Sequence, residues 1–72
     1  MRGNFFYQRL GEKVSSERKK KKISQNKLST LCEVHRTYIA KIEEGRANPS
    51  VRILLKITNG LRVSLFNLFQ GL

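Results

Sequence analysis

Apolar residues recur along this chain at helical spacing, without the alternation that marks a strand. Phe6, Leu10 and Val14 stand at i, i+4 and i+8, which predicts a first helix from about Phe5 to Lys21 with those three on one face. Ser24 suits the N-cap of a second helix, because its hydroxyl can accept from an orphaned first-turn amide; Leu28, Leu31 and Cys32 then share a face. Glu33 and Val34 leave room only for a tight turn. A third helix is expected from His35 or Arg36, with Ile39 and Ile42 inward and its stop at Gly45. Ser50, after the only proline, Pro49, caps a fourth helix whose buried stripe is Leu54, Ile57 and Leu61. Ser64 caps a short fifth helix containing Leu65, Phe66, Leu68 and Phe69. The pattern predicts an all-α chain of five short helices.

At 72 residues the chain is one domain, 1–72, near the lower size limit for a self-sufficient core. A single cysteine allows no internal disulfide, and Cys32 with His35 falls short of the roughly four ligands of a structural zinc site. No metal or cofactor is therefore expected. Stability must come from helix packing, aided by a second copy. The 15 Lys and Arg residues against 5 glutamates give a formal net charge of +10. A polyanionic partner follows: nucleic acid first, an acidic membrane surface second. No apolar run approaches about 20 residues, so no membrane span is expected. The start, Met-Arg-Gly-Asn-Phe-Phe-Tyr, is too short in apolar length for a signal peptide, and a reduced cytoplasmic setting is the expectation. Enzymatic chemistry is not supported. The chain has no aspartate, no phosphate-cradling glycine loop and no acid–base pair beside a nucleophile, and no small-molecule ligand is evident.

Two short helices joined by a tight turn, the second with a basic exposed face, suggest helix-turn-helix at about residues 24–44. The detailed pattern is more specific. Ser24-Gln25-Asn26-Lys27-Leu28, Val34-His35-Arg36-Thr37-Tyr38-Ile39 and Ile42-Glu43-Glu44-Gly45 resemble the Cro/C1-type repressor family. Asn48-Pro49-Ser50, Leu54-Leu55-Lys56-Ile57 and Leu61-Arg62-Val63-Ser64-Leu65 continue the resemblance, which runs from Leu10 to about Phe69. The Arg36-Thr37-Tyr38-Ile39 run on so short a chain looks most like restriction-modification controller proteins; phage-type repressors and antitoxin-type regulators share the scaffold.

The resemblance implies a five-helix, lambda-repressor-like domain that binds operator DNA as a dimer and regulates transcription. It places Gln25 against the DNA backbone and puts Arg36, Thr37, Ala40 and Lys41 on the exposed face of the recognition helix. Arg46 and Asn48 would lie against phosphates, and Arg18 and Glu43 would pair, tying the first helix to the third. There are departures. Glu33 stands where the family often has glycine, at a cost of order 1 kcal/mol if that backbone is left-handed. Ser29 replaces a common alanine, and His35 a better cap.

The residues themselves refine these roles. Arginine offers a bidentate fork to guanine O6 and N7, and lysine a simpler donor, so Arg36 and Lys41 suit base edges where small Ala40 permits close approach. Tyr38 suits a phosphate or base-step contact and sideways packing equally. His35 reads as a weak cap or a phosphate-facing donor, and Cys32 as a small hydrophobe. The run Lys19 to Lys22 reads first as a solvated helix end that strengthens the long-range field, with direct phosphate contact the lesser alternative. Helix five is too short to bury all its apolar residues, so Leu65, Phe66, Phe69 and the following Leu72 are candidates for a symmetric dimer contact. Two rivals from other classes rank lower. A polybasic membrane-surface protein needs little internal core, yet every helix here has an apolar stripe. A single-strand RNA reader needs a platform of stacking aromatics, whereas Phe5, Phe6 and Tyr7 cluster at the chain start.

Overall fold

Each serine named as an N-cap is used as one. The Ser24, Ser50 and Ser64 hydroxyls accept from the backbone amides of Lys27, Ile53 and Asn67, each three residues on, at 3.0, 3.1 and 3.0 Å. The computed structural model describes residues 3–72, and in it those caps open three of five helices. The order is α1 (Gly3–Lys20), α2 (Gln25–Cys32), α3 (Arg36–Glu43), α4 (Val51–Leu61) and α5 (Leu65–Phe69). The first helix thus starts slightly earlier and ends one residue sooner than the periodicity predicts.

Three helix C-termini share one closure. After α1, α3 and α4 a left-handed residue donates three positions back and the next residue donates five positions back, the Schellman arrangement. The left-handed residues are Lys22, Gly45 and Arg62, with φ of 59, 76 and 60°. Helix α2 ends more simply, with the Glu33 amide donating to the Ser29 carbonyl and Glu33 itself left-handed at φ 58°. Glycine stands at only one of these four positions.

The core gathers one stripe from every helix: Leu10 and Val14 of α1, Leu28 and Cys32 of α2, Ile39 and Ile42 of α3, Leu54, Ile57 and Leu61 of α4, and Leu68 of α5. Val34 fills the centre from the α2–α3 turn. Leu31 departs from expectation and is 48% exposed. It stands about 100° around the helix from Cys32, outside the line that Leu28 and Cys32 turn inward. On α5, Leu68 is fully buried and Leu65 and Leu72 are half-buried, but Phe66 is 74% and Phe69 39% exposed. Phe69 meets Phe6 of α1 edge to face at 6.3 Å between ring centroids.

The α1–α3 seam is unusually close. A methyl group at Gly11 would collide with the carbonyl oxygens of Ile42 and Glu43, so only glycine lets the two backbones approach. Beyond the end of α3, Gly45 lies against the backbone of Gln8. The second half of α3 is thereby set by α1, and its outer face turns away from the core.

Candidate nucleic-acid interface

Helix α3 is held by a short turn and a dense polar knot, one at each end. In the turn, the Ser29 hydroxyl donates to the Val34 carbonyl at 2.6 Å, a bond that an alanine at position 29 could not make. Ile39 and Ile42 then face the core, and this orientation sends Arg36, Thr37 and Lys41 outward, with Ala40 half-buried among them. These four occupy one side of a helix only eight residues long. His35 sits at the N-cap position but makes no capping bond, and its ring is exposed. Tyr38 is half-buried and packs on the edge of the core, so packing claims part of its ring.

The knot at the far end joins three helices. Arg18 of α1 donates through Nε to Glu43 Oε2 at 2.8 Å and through Nη2 to Glu43 Oε1 at 3.1 Å, a bidentate pair. Its Nη1 donates to the Ile23 carbonyl at 2.8 Å. The Gln25 side-chain amide donates to Glu43 Oε1 at 3.0 Å. Both charged side chains are largely withdrawn from water, Arg18 at 12% and Glu43 at 6% exposure. The hydrogen bonds that Arg18 donates to Glu43 raise its pKa first and the Glu43 charge raises it further, while burial opposes both. Arg18 is a permanent cation here.

Gln25 therefore spends one amide hydrogen on Glu43, keeping the second hydrogen and its carbonyl oxygen for an outside partner. In the loop after α3, Arg46 reaches Glu44 Oε1 at 2.9 Å through both Nε and Nη2. Both residues are well exposed, so water weakens the pair and a phosphate can displace the carboxylate. Asn48 is exposed in the same loop, ahead of buried Pro49. The residues proposed from the sequence thus adjoin one another: Gln25 binds Glu43 in the last turn of α3, and Arg46 and Asn48 follow in the loop directly after it. Leu65, Phe66, Phe69 and Leu72 lie elsewhere, on and after α5. The link from Gln25 to Glu43 has no sequence signal, since eighteen positions separate the two and neither belongs to a local motif. The Glu44 partner of Arg46 was likewise unforeseen. Among the described residues, no three His, Cys, Asp or Glu side chains are grouped to hold a metal ion. Nor is any helix among them long and apolar enough to cross a membrane.

Two short helices with a tight turn, the second held rigidly and presenting polar and cationic side chains, define a helix-turn-helix protein. The family described as Helix-turn-helix matches residues 14–68, and the chain belongs to that Cro/C1-type family. It is 44% identical over 55 residues to the control protein C.BamHI of Bacillus amyloliquefaciens, covering 75% of this chain and 68% of that one. Longer transcriptional regulators are matched over only 20% to 41% of their length. Among solved structures, the restriction-modification controller protein C.AhdI from Aeromonas hydrophila superposes with a TM-score of 0.86 at 28% identity, over 88% of this chain and 96% of that chain. The controller protein C.Esp1396I, solved as a tetramer in complex with its natural 35 base-pair operator, superposes with a TM-score of 0.85 at 29% identity, covering 92% and 87% of the two chains.

Proposed function

We propose that this chain is a sequence-specific DNA-binding transcriptional regulator of the restriction-modification controller kind, gripping operator DNA as a homodimer. The observation that carries the reading is the outer face of α3. Arg36, Thr37, Ala40 and Lys41 stand together there, on a helix fixed at both ends, in a chain of net charge +10. A rigid helix of this width fits the major groove, where arginine and lysine can address guanine edges. Phosphates supply most of the affinity and α3 supplies the discrimination. Gln25, Arg46 and Asn48 serve the DNA backbone, and exposed His35 and half-buried Tyr38 border α3. The chain acts by binding, without catalysis, in the cytoplasm where its DNA lies. The relationship to control proteins supports the controller assignment, and C.Esp1396I provides the precedent of a relative seated on its operator.

Selection of bound duplexes from a random DNA pool tests this. The expected outcome is enrichment of a sequence with two related half-sites, retained against excess single-stranded RNA and anionic vesicles. Equal retention of all duplexes, or displacement by RNA or vesicles at matched phosphate, would overturn the reading.

A further inference from the structure

The lysine run after α1 is divided by the backbone. Lys19 and Lys20 end the helix, whereas Lys22 lies beyond it in the left-handed conformation, φ 59°. That position closes the Schellman turn and favours glycine, because a Cβ there crowds the following carbonyl. Gly45 fills the equivalent place after α3 without strain. A lysine at Lys22 is thus held against a local penalty.

Its surroundings give that lysine something to do. The next residue, Ile23, gives its carbonyl to Arg18, the same guanidinium that grips Glu43 in the last turn of α3. Gln25, three residues after Lys22, also binds Glu43. The turn bearing Lys22 is therefore fastened to the end of the helix assigned to the groove. Lys22 is exposed, and among the described residues no carboxylate pairs with it, whereas Glu17 engages Lys20.

We propose that Lys22 is a DNA-phosphate-binding residue, kept at a glycine-type position because the turn sets its ammonium beside the backbone strand that borders α2. This rests on the DNA-binding reading above and assigns Lys22 a contact on the Gln25 side.

The test uses the intact chain, the selected duplex and a scrambled duplex of equal length, with affinity measured across salt concentrations and melting temperature measured in parallel. Lys22→Gly removes both the strain and the charge. It should raise the melting temperature by about 3 °C. It should also weaken both duplexes alike and lower the salt slope by about 0.9 per protomer. Lys22→Arg should keep the wild-type slope. Arg62→Gly is the matched control: the same left-handed φ and the same charge change, but at the α4–α5 turn. It should gain melting temperature with little change in slope. An unchanged slope in Lys22→Gly, or an equal fall in Arg62→Gly, overturns the proposal, the second by showing that net charge alone acts. If the wild-type chain binds no duplex at all, the DNA-binding reading itself has failed and the Lys22 contact falls with it.

Discussion

Arg36 and Gln25 are the residues whose roles one binding experiment separates. Arg36 is exposed on the outer face of α3, so Arg36→Ala should cost about 1–3 kcal/mol on the preferred site and relax preference at one base pair per half-site. Gln25→Ala should weaken all sequences about equally with little change in salt slope, since glutamine displaces no counterion. The structure adds a second effect. Gln25 also donates to Glu43, so its removal should cost about 1 kcal/mol of stability as well. If Arg36→Ala loses affinity uniformly with base preferences intact, Arg36 is a phosphate clamp and reading passes to Thr37 and Lys41. Cys32 carries a different expectation. Burial raises its thiol pKa above the ordinary 9.0, outweighing the hydrogen bonds and the Lys56 charge that lower it. The folded thiol therefore holds its proton to higher pH than the unfolded one. That contribution to stability is complete below the unfolded pKa and is lost as pH rises through the folded value. Melting temperature should fall across that alkaline window, and Cys32→Ala should show a shallower fall; equal slopes would refute the link.

At the scale of elements, the knot joining α1, α2 and α3 decides how α3 is presented. Glu43 receives three hydrogen bonds from two helices while scarcely exposed. Glu43→Gln strands the Arg18 cation in that setting and should destabilise the fold by about 3 kcal/mol, the lower end for a buried pair. Denaturant unfolding measures this directly, and an unchanged midpoint would show that the pair is effectively solvated. The helix starts were legible because an N-cap is local: a serine oxygen reaches an amide three residues on, whatever the rest of the chain does. The helix ends were less so. Lys22 reads as part of a solvated basic helix end, and nothing in the chemistry of Lys22 or Arg62 announces a left-handed backbone. Leu31 misled for a related reason, since spacing defines a stripe but the neighbouring helices decide how much of it is covered.

For the whole molecule, the candidate assembly surface is α5. Phe66 is the most exposed large apolar side chain described, at 74%, with Phe69 beside it and Leu65 and Leu72 half-buried. A symmetric contact through this surface would set two copies of α3 about 34 Å apart, one turn of duplex. Phe66→Glu should leave the melting temperature of the monomer nearly unchanged, because little of the ring is buried within one chain. Sedimentation should then report monomer where the parent is dimer, and operator affinity should fall with it. Retained dimer in Phe66→Glu would move the interface off α5.

The sequence by itself determined the helix count, the N-caps, most of the buried stripe and the polyanionic partner, because periodicity, capping and net charge act locally or simply add. Through resemblance it also indicated the Arg18–Glu43 pair. Tertiary structure alone decided that Gln25 joins that pair, that Gly11 brings α1 onto α3 and that Leu31 stays wet. Each depends on where a distant backbone passes, and that is settled only when the five stripes are packed against one another at once.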